Sequence, residues 1–216
     1  MSESELFEQL DFQENPLYEK LINDLIDKQF SITDSFFTDE EVLSLRNSLL
    51  EKYQSDQFKK SAIGSHVNEV VASGIRGDFI KWIDEPNANE AESIFFRKLN
   101  SLVNYLNKTC FMGILQKEFH YAVYPEGTYY KRHLDTFKND DRRKLSFVCY
   151  LNDDTWKPEN GGELTLYLPM GDSENALDIY PLPGRVVLFE SQLLEHEVKI
   201  VTHSQRLSIT GWLKTR

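Results

Sequence analysis

The chain has 216 residues, 40% of them hydrophobic, a formal net charge of −11 and only two cysteines. That length suits a single domain with a sizeable core, and the charge argues against broad binding to a phosphate backbone, which takes a basic surface. No apolar run approaches the roughly 18 residues of a membrane helix. The acidic start MSESELFEQLDF has neither the basic nor the apolar part of a secretory signal, so a cytosolic protein without nucleic-acid or membrane partners is expected. Cys110 and Cys149 form no Cys-x-x-Cys, which fits a reducing compartment.

In chain order, Asn15-Pro16 followed by Leu17, Leu21, Ile22, Leu25 and Ile26 reads as a capped helix with one apolar stripe. Thr38 and Glu41 form a capping-box pattern that opens a second helix through Val42, Leu45, Leu49, Leu50 and Tyr53. The polar stretch from Ser55 to Gly74 has no clear period and is read as an irregular surface loop. A third amphipathic helix is expected from Asn89 to Asn107, with Ile94, Phe95, Leu99, Leu102, Val103 and Leu106 facing inward.

After Gln116 the pattern changes to short alternating strands. Turn signals separate them at Pro125-Glu126-Gly127, Asn139-Asp140-Asp141, Asn160-Gly161-Gly162 and Pro183-Gly184. The expected fold is α+β, a double-stranded β-helix or jelly roll backed by N-terminal helices.

The chemistry concentrates in YPEGTYYKRHLD, residues 124–135. On a strand, residues i and i+2 share a face, so His133 and Asp135 can aim an imidazole and a carboxylate at one point while Leu134 faces away. His196, on a distant expected strand, completes two His and one carboxylate, the facial set that leaves open positions on Fe(II). Zinc accepts the same ligands, but a zinc hydrolase would need a general base beside its water and has no use for Arg206. The planar, permanently charged fork of Arg206 suits the far carboxylate of a bidentate dicarboxylate.

Strand parity agrees with one coherent wall. In LSFVCYLN, Ser146, Val148 and Tyr150 alternate with Leu145, Phe147, Cys149 and Leu151. In RLSITGWL, Arg206, Ser208, Thr210 and Trp212 alternate with Leu207, Ile209 and Leu213. Lys131, Arg132, Lys138, Arg142, Arg143 and Lys144 cluster around the metal segment, so a basic mouth is expected, unless Asp140 and Asp141 cancel it. His66, His120 and His203 have no partner at ligand spacing and read as ordinary histidines.

With these residues in place, IRGDFIKWI (75–83), YPEGTYYKRHLD, FVCYLND, GGELTLY, LLEHEV and QRLSITGW resemble the 2-oxoglutarate and Fe(II)-dependent prolyl hydroxylases of the hypoxia-inducible-factor type and their bacterial relatives. The resemblance spans residues 75–213, and residues 1–74 match only loosely. It implies an oxygenase region at 75–216, with helical support and a substrate-side loop at 1–74, all in one structural domain. It further implies Fe(II) on His133, Asp135 and His196, with Arg206 and Tyr150 holding the distal carboxylate of 2-oxoglutarate. Tyr124 would line the cosubstrate pocket, and Thr210 and Trp212 would lie on the strand after the arginine. Asp78 would pair with Arg143, with Arg142 as the alternative, beside Arg76 of the Arg-Gly-Asp segment.

Oxygen is the implied second cosubstrate, ascorbate the reductant, and C4 of a prolyl residue in a protein the target. A hydroxylase of a free amino acid or other small molecule would share the same triad. A non-catalytic binding module would have lost one of the four positions, all of which are present.

Overall fold

A computed structural model describes residues 13–61, 74–136, 141–171 and 173–215. Helix α1 (Pro16–Lys28) starts where the Asn15 side chain accepts from the backbone N–H groups of Leu17 and Tyr18, and Pro16 occupies a position that needs no donor. Its buried face is Tyr18, Leu21, Ile22 and Leu25; Ile26, expected in the stripe, is 74% exposed because it turns past the edge of that face. Strand β1 (Phe30–Thr33) follows directly. Helix α2 (Asp39–Gln54) opens with the Thr38–Glu41 capping box. Two short strands come next, β2 (Lys59–Lys60) and β3 (Phe79–Ile83). Helix α3 (Glu90–Thr109) opens with a second box, Asn89 and Glu92. Each such cap is worth about 1 kcal/mol, so both helix starts are fixed locally.

The remaining strands are β4 (Gln116–Pro125), β5 (Tyr130–His133), β6 (Arg143–Tyr150), β7 (Leu164–Met170), β8 (Ser173–Ile179), β9 (Val186–Glu190), β10 (Glu195–Val198) and β11 (Gln205–Lys214). They form a seven-stranded sheet, β1-β9-β6-β11-β4-β3-β2, and a four-stranded sheet, β5-β10-β7-β8, with antiparallel pairing throughout. The four-residue β1 was not foreseen, since FSIT is too short to show a period. It covers the β9 edge, so the N-terminal region supplies strands as well as helices.

The two faces of the large sheet do different work. Leu145, Phe147, Cys149, Leu151, Leu207, Ile209 and Leu213 pack with the three helices in the main core. On the opposite face Val148, Tyr150, Val187 and Phe189 pack with Leu164, Leu166 and Ile179 of the smaller sheet. The site opens between the two sheets, on the face that alternation assigned to Ser146, Tyr150, Arg206 and Thr210. The expected turn at Asn139-Asp140 and residues 62–73 of the expected loop lie outside the described residues.

Candidate active site

Strand β10 pairs with β5 so that His196 stands directly opposite His133, with ring centroids 4.3 Å apart. Asp135 lies just beyond the end of β5, and its two carboxylate oxygens are each 3.5 Å from an Nε2, one of His133 and one of His196. The three ligand atoms fall within 4.8 Å of one another. Both Nδ1 atoms meet backbone carbonyls, of Lys131 at 2.7 Å and of Leu194 at 3.2 Å. A carbonyl can only accept, so each Nδ1 carries the proton and each Nε2 turns a lone pair inward, the tautomer a metal requires. Burial pushes His196 down to about 4, so it is neutral at neutral pH. Burial works against the Asp135 charge, yet His196, His133 and the Ser146 hydroxyl hold its carboxyl well below the usual range. Two imidazoles and one carboxylate at this spacing fit a divalent iron.

The triad is braced from outside. Ser146 Oγ donates to Asp135 Oδ2 at 2.6 Å and sits 2.8 Å from Ser191 Oγ, both buried. Tyr130 stacks on His133 at 3.7 Å, and the Arg76 guanidinium lies 4.3 Å from the Tyr130 ring. Arg76 grips Asp78 through two bonds of 2.8 and 2.6 Å, and Ser61 also donates to Asp78. Where the resemblance implies Arg143 beside Asp78, the bonds seen on Asp78 come from Arg76 and Ser61. Arg143 lies 3.4 Å from the Trp212 ring, donates to the Asp135 carbonyl at 3.1 Å and faces Glu118 at 3.6 Å. Ser146→Ala is expected to weaken iron binding about 10- to 100-fold, the usual cost of a lost partner behind a ligand, with the fold intact. The Fe(II) concentration needed for half-maximal turnover measures it.

Arg206 is 2% exposed. Its Cζ lies 4.9 Å from the Tyr124 ring and 5.0 Å from the Tyr150 ring, and one terminal nitrogen donates to Ser208 Oγ at 3.2 Å. Ser208 in turn is 3.3 Å from Thr210 Oγ1. Both Arg206 Nε and the Tyr150 hydroxyl are buried without a hydrogen-bond partner. No acid pairs with Arg206 among the described residues. A buried, unpaired cation beside an orphaned hydroxyl is a strongly unfavourable arrangement until an anion arrives. A carboxylate satisfies both groups at once.

The triad and Arg206 line one cavity of about 350 Å³, which continues outward past Trp82, His120, Arg143 and Trp212. His120 was not foreseen here, having read as an ordinary histidine. It is buried on β4 opposite Trp82 and Thr210, its ring 4.9 Å from Trp82 and 5.7 Å from Trp212, and its Nδ1 lacks a partner. Alternation in FHYAVY placed it on the cavity face, a usable signal that its lack of a ligand-spaced neighbour obscured. The predicted basic mouth also moves. Of the six expected cations only Arg143 lines the cavity, Arg132 being tied to Glu174 and Glu195, and Lys138 lies outside the described residues.

Burial pushes His120 down to about 3, with Arg76 and Arg143 lowering it further against Asp78 and Asp135. A depressed histidine pKa means that the unfolded chain takes up a proton the folded chain refuses. Its contribution to stability is thus full above about pH 6.5 and is lost as pH falls towards the folded value. His120→Gln should make stability fall less steeply between pH ~6 and ~4, by about 1.4 kcal/mol per pH unit. Urea unfolding across that range reads the slope.

Residues 119–214 match the family model of the 2OG-Fe(II) oxygenase superfamily. The crystal structure of a Pseudomonas putida prolyl-4-hydroxylase is 33% identical and superposes with a TM-score of 0.81, covering 92% of this chain and 99% of that one. The chain belongs to the 2OG-Fe(II) oxygenase superfamily, on its prolyl 4-hydroxylase branch. A prolyl hydroxylase from Trichoplax adhaerens, solved with a peptide fragment of the hypoxia-inducible factor oxygen degradation domain, is 27% identical with a TM-score of 0.83, over 100% of this chain and 94% of that one. This oxygenase accordingly uses Fe(II), 2-oxoglutarate and O2. No helix among the described residues is long and apolar enough to cross a membrane.

Proposed function

We propose that the enzyme hydroxylates C4 of a prolyl residue in a protein substrate, releasing succinate and CO2. The observation that carries the cosubstrate assignment is the buried Arg206, which lines the same cavity as the triad and whose Nε is orphaned beside the orphaned Tyr150 hydroxyl. In this reading His133, Asp135 and His196 hold Fe(II). Arg206 and Tyr150 bind the distal carboxylate of 2-oxoglutarate, Tyr124 flanks it, and Thr210 lies beside Ser208 on the same wall. The bound metal supplies oxidative decarboxylation of 2-oxoglutarate and oxygen insertion into a C–H bond; the chain supplies position and dryness. Ser146 orients the Asp135 carboxylate, the Lys131 and Leu194 carbonyls fix the imidazole tautomers, and Phe189, edge-on to His196 at 4.8 Å, helps keep water from that ligand.

The prolyl target is supported by the two relatives, one of which was solved with a peptide. Trp82 and Trp212, whose rings lie 6.4 Å apart on the outer part of the cavity, give an apolar wall of a size that suits a pyrrolidine ring. Arg76 and Asp78 act here by bracing His133 through Tyr130, and Arg143 by holding the Asp135 backbone. Ascorbate is the reductant that keeps the metal ferrous, and a cytosolic location fits the free thiols of Cys110 and Cys149.

The test supplies purified enzyme with Fe(II), ascorbate, oxygen and 2-oxoglutarate, and follows succinate together with the mass gain of one oxygen atom. Proline-containing peptides should be oxidised and free proline should not. Turnover of free proline alone would favour a small-molecule hydroxylase, and no oxygen insertion into either would overturn the prolyl reading.

A further inference from the structure

One lip of the cavity is formed by Lys59 and Lys60 of β2 and Lys81 of β3. None of the three pairs with an acid among the described residues. This runs against the rest of the chain, which has 35 acidic and 24 basic residues. Other surface cations do meet acids: Lys117 with Glu85, Arg185 with Asp34, Lys199 with Asp178. β2 is the outer strand of the large sheet, and Lys59 stands opposite Ile80, itself a cavity residue. Trp82, next to Lys81, is 42% exposed, so the apolar wall of the cavity runs out to the surface where the lysines begin.

We propose that the peptide substrate is acidic next to its target residue, on the side that leaves the cavity over Lys59, Lys60 and Lys81. This rests on the peptide reading above. A protein of net charge −11 repels an acidic segment at long range, so accepting one requires a local field of opposite sign at the point of entry. These lysines, which meet no acid among the described residues, provide that field. Each exposed pair is individually weak, so the lip acts through several charges together and expresses itself as selectivity and salt-sensitive capture more than as tight binding.

The experiment uses labelled proline peptides that differ only in two flanking residues, Asp-Asp, Asn-Asn or Lys-Lys, placed before or after the proline. Each is assayed for binding by fluorescence anisotropy and for hydroxylation by mass spectrometry. In wild-type enzyme the Asp-Asp peptide of one placement should bind and turn over with KM roughly tenfold lower than its Asn-Asn counterpart at low salt, a gap that closes as salt rises. K59E/K60E, two exposed substitutions, should erase that preference and favour the Lys-Lys peptide. Equal KM for Asp-Asp and Asn-Asn in both placements would overturn the inference, as would a preference that survives charge reversal. If no peptide is bound or oxidised while 2-oxoglutarate is still decarboxylated, the peptide reading itself has failed, and this inference falls with it.

Discussion

Arg206→Met is expected to abolish 2-oxoglutarate turnover while leaving the fold as stable as the wild type, or more so. The guanidinium is 2% exposed, has one hydrogen bond to Ser208 and meets no acid among the described residues, so within the chain its desolvation goes uncompensated. Replacing buried ionic groups with well-packed apolar side chains is neutral or stabilising by about 1–4 kcal/mol, and Met keeps the unbranched shape of the arginine stem. The cosubstrate sees the opposite sign. Breaking one half of a buried charge pair costs about 3–5 kcal/mol, which is a rise in KM for 2-oxoglutarate of roughly 10²- to 10³-fold or more. Thermal melts separate the two effects, because a ligand that binds only the folded state raises Tm. Wild-type enzyme should gain Tm on adding 2-oxoglutarate, and the variant should start as high or higher and gain nothing. A variant that unfolds early, or keeps its KM within a few-fold, would remove Arg206 as the anchor.

The same residue shows what alternation in the sequence could and could not reveal. Arg206, Ser208, Thr210 and Trp212 share a face because a strand repeats every two residues, and that local rule needs no knowledge of the fold. The parity of Ser146 and Tyr150 on β6 follows in the same way. His196 opposite His133 is different, since those residues are 63 positions apart and meet only through the register of β10 on β5. The ligand chemistry of two His and one carboxylate pointed to that partner, and the resemblance agreed; composition and period could not. His120 and the lysine lip escaped for the same reason: their neighbours Trp82, Thr210 and Ile80 come from other strands. The Arg76–Asp78 bonds are the reverse case, a local pair two residues apart that the sequence displayed openly as Arg-Gly-Asp.

Gly211→Ala tests how far the core and the site depend on each other. Gly211 lies on β11 with Phe119 of β4 on one side and Phe147 of β6 on the other, and these rings meet edge to face over it, 5.8 Å between centroids. An added Cβ would stand 2.1 Å from the Glu118 carbonyl oxygen and 2.4 Å from the Phe119 ring. Neither can yield cheaply. The carbonyl is backbone, and Phe119 is wedged against Phe95 at 5.2 Å and Phe96 at 6.5 Å. Overpacking a tight core costs about 1–3 kcal/mol and sometimes more, and a clash with backbone belongs at or beyond the upper end. The expected loss is at least ~3 kcal/mol, or about 10 °C in Tm for a chain of this size. Because Thr210 and Trp212 flank the glycine and His120 follows Phe119, any variant that still folds should also show a raised KM for the oxidised substrate. Gly74→Ala, at a position where a Cβ meets nothing within 4 Å, is the matched control and should melt with the wild type. If the two variants melt alike, close packing at Gly211 is not what holds β4 and β11 in register beneath the site.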